Sequence, residues 1–299
     1  MPDTAPPTPR RLTTVEADDV RSLLEHATRA DGVEPLSEAG QLALEQADDA
    51  GHVLLRLGSE LTGYAHRADR DAELVVHPDH RRHGIGSRLL TALEADSARP
   101  LVWAHGRLPA AVALAAARDY RQVRALLQMR SDSLDGLPDP VLPDGVRLRG
   151  FRPGADDATW LELNRRAFAD HPEQSRWGAG DLQARMSRPW FDPAGFLLAE
   201  RESDGALLGF HWTKVHPDGV GEVYVLGISP DAQGIGLGQA LALAGLRHLR
   251  DRGVPAVLLY VEESNPVAVR LYDRLGFGRT RIDAQFARPD AGAPSAQPL

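Results

Sequence analysis

The 299-residue chain contains no cysteine. That excludes disulfides, thiolate metal sites and any transfer through a covalent cysteine intermediate. Lysine is almost missing: among 34 basic residues Lys214 is the only one, a bias toward arginine that reads as genome composition and singles out one ammonium group. No apolar run approaches the ~20 residues a bilayer-spanning helix needs. The polar start MPDTAPPTPRR lacks the apolar core of a secretory signal, so a cytoplasmic enzyme is expected. Excess positive charge is absent as well. A formal charge of -8, with the basic side chains scattered, gives no electrostatic reason to expect nucleic acid or anionic membrane as a partner.

What the chain has is length for two domains, each able to bury its own core, and an internal repeat. The stretch Glu222-Val-Tyr-Val-Leu-Gly-Ile-Ser-Pro-Asp-Ala-Gln-Gly-Ile-Gly-Leu-Gly-Gln239 runs into an apolar pattern at helical spacing as far as Arg250. It reads as strand, glycine loop and helix. Gly234, Gly236 and Gly238 let backbone approach a ligand without Cβ interference, and the free N–H groups of a helix start suit a pyrophosphate. In dinucleotide-binding folds the glycines follow the strand almost at once. Here Ser229 to Gln233 intervene, which weighs against a nicotinamide or flavin reading. Upstream, Ala72 to Leu90 repeats the order: Arg81-x-x-Gly84-x-Gly86 aligns with Gln233-x-x-Gly236-x-Gly238 without a gap, the mark of a duplication.

Hydrophobic periodicity predicts the same sequence of elements twice. In the first half there is a helix over Thr14–Ala30 and a short one after the loop 31–38. Strands follow at His52–Leu57, Leu61–His66 and Leu74–Val76, then the glycine loop, a helix over Ser87–Asp96, a strand over Pro100–His105, a helix over Pro109–Arg118 and a strand over Gln122–Met129. Ser131–Gly145, with three prolines and four acidic residues, has no apolar period. The second half predicts a strand over Val146–Arg149, helices over Asp156–Phe168 and Asp181–Arg188, and strands over Phe196–Glu200 and Ala206–Val215. After its glycine loop and helix come a strand over Ala256–Glu262, a helix over Pro266–Leu275 and a strand over Arg279–Phe286.

The doubled loop resembles the Arg/Gln-x-x-Gly-x-Gly/Ala signature of the GCN5-related N-acetyltransferases. Asn265-Pro-Val-Ala-Val-Arg-Leu-Tyr-Asp-Arg-Leu-Gly-Phe277 resembles that family's Asn-x-x-Ala-x-x-x-Tyr-x-x-x-Gly-Phe block. The resemblance implies an α/β (α+β) fold of two tandem domains, each a mixed, mostly antiparallel sheet flanked by helices. The limits expected are a disordered stretch 1–12, a first domain 13–135, a linker 136–145, a second domain 146–288 and a tail 289–299. It also implies acetyl-CoA as co-substrate. The second half would hold it with Leu226, Gly227 and Ile228 along the pantetheine arm and with Gln233, Gly234, Ile235, Gly236, Leu237, Gly238 and Gln239 around the pyrophosphate. Asn265, Pro266, Val267, Ala268, Val269 and Arg270 would contact it as well. Leu74, Val75, Val76, Arg81, Arg82, His83, Gly84, Ile85 and Gly86 would hold a second, non-reacting molecule, or else form an empty loop.

Acetyl transfer to an amine needs a base, an oxyanion donor and an acid for the leaving thiolate. By the same resemblance Glu222 is the base, directly or through water, Leu226 receives the oxyanion, and Tyr272 is the acid. The plainer alternatives are a strand-end carboxylate and a core tyrosine. Carrying the loop alignment backwards sets Arg70 opposite Glu222, and aligning the two later helices sets Ala115 opposite Tyr272 and Leu108 opposite Asn265, so all chemistry is expected in the second half. His77-Pro-Asp-His80-Arg-Arg-His83 invites a metal, yet no carboxylate or thiolate completes a ligand spacing in sequence, and none is expected.

Val223-Tyr-Val-Leu-Gly227, Leu258 to Glu262 and His171-Pro-Glu-Gln174 further resemble those tandem members that acetylate the cysteinyl amine of cysteinyl-glucosaminyl-inositol. This pseudo-disaccharide thiol would meet Glu38, Glu173, Lys214, Glu222 and Tyr260, and the protein is taken as a monomer. Glu38 and Glu173 read equally as solvated loop charges. Another small amine, an aminoglycoside or a protein N-terminus, and a non-catalytic acyl-CoA sensor are the alternatives.

Overall fold

The structure, a computed structural model, describes residues 8–45, 51–95, 99–169, 171 and 174–289. Its elements run α1 (Thr14–Asp31), α2 (Glu38–Ala43), β1 (His52–Leu57), β2 (Glu60–Ala68), β3 (Asp71–Val76), α3 (Ile85–Glu94), β4 (Leu101–Ala104), α4 (Pro109–Ala117) and β5 (Arg121–Ser131). They continue with β6 (Val146–Gly150), α5 (Asp157–Ala167), α6 (Ala179–Met186), β7 (Phe196–Arg201), β8 (Leu207–Val215), β9 (Gly221–Ile228), α7 (Leu237–Asp251), β10 (Val257–Glu262), α8 (Pro266–Arg274) and β11 (Gly278–Ala287). The chain forms two units. One comprises Met1–Leu127, Glu262–Ser264 and Arg281–Leu299; the other comprises Gln128–Val261 and Asn265–Thr280.

In the first unit the strand order is β1-β2-β3-β4-β11-β5. Neighbouring strand residues face opposite sides, and helices cover both. Tyr64 and Val75 pack with Val20, Leu23 and Ala27 of α1, whereas Ala65 and Ala72 pack with Leu89 and Leu93 of α3. Helix α1 begins in a capping box: the Thr13 side chain accepts from Glu16 N and the Glu16 carboxylate accepts from Thr13 N.

The sequence-based limits keep everything to residue 288 in the second domain, but Arg281 onward belongs to the first unit. The reason is packing: Ala284 and Phe286 are buried with Leu90, Ala104, Ala115 and Tyr120, and Ala284, Gln285 and Phe286 pair with Ala104, Trp103 and Val102. A buried charge cluster fixes this strand. His105 Nε2 lies 2.7 Å from Glu73 and Nδ1 lies 3.3 Å from Asp283, while Gly106 N donates to Asp283 (2.6 Å) and Ser37 N to Glu73 (2.8 Å).

In the second unit the order is β10-β9-β8-β7-β6. One face carries an aromatic core in which Trp160 of α5 meets Phe151, Phe196, Phe210 and Trp212 edge-on. Helix α7 covers the other face through Leu237 and Leu241. Gly245 lets α7 lie close to β8, since a Cβ there would come 2.1 Å from His211 Nδ1. Burial drives the His211 pKa down to about 4, so the ring is neutral, with Nδ1 2.8 Å from Leu241 O.

A parallel pair stands in each unit, and each of these pairs parts early. β3 and β4 pair at Asp71↔Leu101, Ala72↔Val102 and Glu73↔Trp103, although β3 runs on to Val76. β9 and β10 pair at Gly221↔Val257, Glu222↔Leu258 and Val223↔Leu259, although β9 runs on to Ile228.

Burial lowers the His105 pKa, but Asp283 and Glu73 outweigh it and raise it to about 9. A histidine with a raised folded pKa contributes stability that is complete below its unfolded value near 6.5 and lost as pH rises through about 9. Chemical denaturation followed from pH 6 to 10 should show this loss in the native protein, and Asp283→Asn should weaken the dependence. An Asp283→Asn profile identical to the native one would contradict it.

Candidate active site

The tight turn Asp218-Gly219 folds β8 back on β9, which sets Lys214 directly opposite Glu222. His216, at the foot of this hairpin, donates its N–H to the Val220 carbonyl (2.8 Å) and brings Nε2 to 2.7 Å from Glu222 Oε2. Lys214 Nζ lies 4.0 Å from the same oxygen. Glu222 is buried at 6% exposure, a position a carboxylate occupies only with partners. Lys214 also stands over two aromatic rings, 4.9 Å from the centroid of Trp190 and 5.0 Å from that of Tyr224. Arg185 continues the wall: its Nε donates to Tyr224 Oη (2.7 Å), and its guanidinium lies 3.8 Å over Trp177.

The β8–β9 register explains why these side chains meet. Trp212 pairs with Val225 but Thr213 with Val223, so Tyr224 is an extra residue, a β-bulge. The bulge coincides with the last parallel pair, Val223↔Leu259. Beyond it β9 keeps β8 on one side and, among the described residues, has no ladder partner on the β10 side. Ser229 N donates back to Leu208 O (2.8 Å); by the two-residue alternation of a strand, Leu226 and Ile228 turn their N–H groups to the open side. Gly227 is a packing residue, because a Cβ would come 2.6 Å from Phe210.

The glycine loop then delivers α7. Gly234 and Gly236 have φ of 80° and 85°, and Gly236 is the N-cap of α7. Nothing lies within 4 Å of a Cβ built on either, and Gly238 is roomy as well. Gln233, Ile235 and Gln239 are exposed, whereas the Leu237 side chain is in the core, so only its backbone could face a ligand. Asn265 caps α8, its Oδ1 accepting from Ala268 N (3.1 Å). Pro266, Val267 and Arg270 are exposed, Ala268 is half-buried and Val269 is buried. The Tyr272 ring is buried against Phe277. Among the described residues its hydroxyl has no hydrogen-bond partner, and burial pushes its pKa well above the ordinary phenol value.

Of the expected substrate residues, Lys214 and Glu222 are together. Tyr260 is on β10 and its hydroxyl accepts from Gln128 Nε2 (2.9 Å). Glu38 opens α2 in the first unit, and Glu173 lies outside the described residues. His216, Trp190, Tyr224 and Arg185 were not singled out in the sequence; the Asp218-Gly219 turn, which brings His216 back to Glu222 six residues on, was the signal for His216. A cavity of about 590 Å3 bordered by Asp144, Arg201, Leu208, Asp231 and Ile235 includes none of these side chains.

The first unit reproduces the loop with two changes. Arg82 takes the place of Gly234 at φ 66°, ahead of Gly84 at φ 80°. Arg81 forks onto Asp31 (2.8 and 2.7 Å) and donates to Val76 O (3.3 Å), so its charge is engaged within the protein. Leu114 would meet a Cβ on Gly86 at 3.1 Å. Leu74, Val75 and Val76 continue β3 past its last pair with β4, and His83 and Ile85 flank Gly84. Counted from the first parallel pair of each unit, Ala72 and not Arg70 matches Glu222. The gapless alignment misses this because β9 to its loop is longer than β3 to its loop. The histidines of this loop also acquire a carboxylate that sequence spacing did not offer: Glu60 of β2, 3.1 Å from His80 Nε2.

Residues 159–277 match the acetyltransferase (GNAT) family, and residues 44–122 match an acetyltransferase (GNAT) domain. The mycothiol acetyltransferase of Thermomonospora curvata is 54% identical over 286 residues, covering 93% of this chain and 95% of that protein. That of Thermobispora bispora is 51% identical over 290 residues, covering 93% and 98%. Among solved structures, a GCN5-related N-acetyltransferase from Sphaerobacter thermophilus aligns with a TM-score of 0.68 at 25% identity, over 94% of this chain and 95% of that one. A tandem GNAT protein from the clavulanic acid biosynthesis pathway aligns at 0.71 and 19% identity, over 96% and 99%, a likeness of fold alone.

Left-handed backbone costs a residue with a side chain roughly 1–2 kcal/mol. Arg82→Gly should therefore raise stability in denaturant melts by about 1 kcal/mol, and Gly234→Ala should lower it by about as much. Equal stabilities for all three proteins would refute the shared loop conformation.

Proposed function

The chain belongs to the acetyltransferase (GNAT) family and is an acetyltransferase, and from that premise we propose that it acetylates the cysteinyl amine of cysteinyl-glucosaminyl-inositol to give mycothiol, by direct attack in a ternary complex. The observation that carries this reading is Glu222: a buried carboxylate bonded to His216 and beside Lys214, placed where β9 loses its parallel neighbour. The relatives named mycothiol acetyltransferases support the choice of amine.

The residues of the second unit fit acetyl-CoA. The open side of Leu226–Ile228 suits the amides of a pantetheine arm, and the left-handed Gly234 and Gly236 ahead of α7 suit a pyrophosphate. When bound, the coenzyme supplies an activated thioester carbonyl and a thiolate leaving group. In this reading Glu222 accepts the proton of the substrate ammonium, and His216, 29% exposed in its side chain, relays it toward solvent. The Leu226 N–H stabilises the oxyanion. Tyr272, held protonated by burial, donates to the departing sulfur. Lys214, Trp190 and Tyr224 border the amine site, a mixture of charge and flat apolar surface suited to a sugar-like, polyhydroxylated acceptor. The first unit, with Ala72 where the second has Glu222, is read as a copy that holds acetyl-CoA without turning it over.

Purified protein incubated with acetyl-CoA and the cysteinyl pseudo-disaccharide should give the N-acetylated thiol by mass spectrometry, and little product with aminoglycosides or peptide N-termini. Glu222→Gln should reduce kcat by ~10²–10⁴. Tyr272→Phe should reduce kcat while sparing the KM for acetyl-CoA. Preferential acetylation of another amine would overturn the substrate, and an unchanged kcat in Glu222→Gln would overturn the mechanism.

A further inference from the structure

We propose that Glu60, His77 and His80 of the first unit form a binding site for one divalent d-block cation of the zinc type. The potential ligand atoms of the three side chains all lie within 4.8 Å of one another. Around a tetrahedral zinc with bonds of about 2.0–2.1 Å, neighbouring ligand atoms are about 3.3 Å apart, and His80 Nε2 already lies 3.1 Å from Glu60 Oε1. The remaining separations, already within 4.8 Å, would have to shorten by about 1.5 Å at most, a distance side-chain rotation can supply.

The backbone that carries the site is fixed. His77 N donates to Thr62 O and His80 N to His77 O, both at 2.9 Å, so the end of β3 and the turn after it are tied to the start of β2, where Glu60 stands. His77 Nδ1 accepts only a long bond, 3.3 Å, from Asp79 N, and ligation through that nitrogen would replace little. A third imidazole stands behind these. The His26 ring centroid is 5.2 Å from that of His77, and His26 Nδ1 is 2.7 Å from Ser22 O. A carbonyl can only accept, so Nδ1 of His26 donates to it and the ring is held with Nε2 on its other side.

Two imidazoles and a carboxylate favour zinc, nickel or copper over magnesium or calcium, which take oxygen ligands. A simple Glu60–His80 ion pair accounts for one histidine and leaves the convergence of the other two unexplained. Such a cation would pin β2 to the turn that leads into Arg81 and Gly84. The inference does not depend on the substrate or on the catalytic residues of the second unit.

The test uses the full-length protein, stripped with a chelator and titrated with zinc chloride by calorimetry, with thermal unfolding followed in parallel. The native protein should bind one zinc and unfold at a higher temperature when loaded, because a ligand of the folded state alone stabilises it. Glu60→Ala and His80→Ala should each weaken binding by ~10-fold or more, and affinity should fall on acidification, since imidazole ligates only as the neutral ring. Circular dichroism should confirm that both variants fold, as expected for side chains that reach solvent. Absence of zinc uptake, or uptake that is the same in His80→Ala and so resides at other histidines, would overturn the site.

Discussion

The second unit depends on the parting of β9 from β10 after Val223. A strand that leaves its neighbour gives up ladder hydrogen bonds, and unpaired backbone groups are costly unless water or a ligand takes them up. Here the parting is combined with a bulge at Tyr224 on the other edge of the same strand. The bulge shifts the pairing by one residue, so the strand below it can present Glu222 beside Lys214 while the strand above it buries Val225 in the aromatic core. Without that shift, the two-residue period of a strand would set these demands against each other. One local irregularity thus lets a rigid sheet hold a carboxylate at one end of a stretch of open backbone.

The first unit shows what happens when only half of this device is present. β3 also leaves β4 after three pairs, but β2 and β3 pair from Gly63↔Val76 to Ala68↔Asp71 without a bulge. At its point of parting, Glu73 is consumed by His105 and Ser37, and His105 is shared with Asp283. Its carboxylate serves to seat β11 and α2. Arg81 is likewise committed to Asp31. The two copies therefore share a backbone plan and differ in what the carboxylates at the parting strands meet: His216 and Lys214 of the adjoining strand and hairpin at Glu222, and His105 with Ser37 at Glu73.

Much of this was legible in the sequence, because alternation, glycine spacing and helical period are local signals. The succession of strands, glycine loops and helices along the chain follows from them, and Gly234 and Gly236 leave open space where a Cβ would stand, as the loop reading expects. What was hidden is long-range or one residue wide. A bulge leaves no mark in composition: Val-Tyr-Val-Leu reads as regular strand. The transfer of Arg281–Ala287 to the first unit is set by the burial of Ala284 and Phe286 and by Asp283 meeting His105, 178 residues away in sequence. Glu60 stands 20 residues from His80 along the chain, and only the β2–β3 hairpin brings it close.

The lone lysine has a physical reason at its position. Every other basic residue of the chain is arginine, and arginines in this protein fork onto carboxylates, as Arg149 does onto Asp156 and Arg81 onto Asp31. A planar guanidinium opposite Glu222 would tend to close on both carboxylate oxygens and compete with His216 and with an incoming ammonium. The compact ammonium of Lys214 instead stands 4.0 Å from Oε2, steadied by the faces of Trp190 and Tyr224. It offsets the buried negative charge without a close hydrogen bond to the carboxylate, as the proposed role of Glu222 requires. A cation at that distance also opposes the approach of a second one, so under the proposed mechanism the amine would be received there after, or as, it gives up its proton to Glu222.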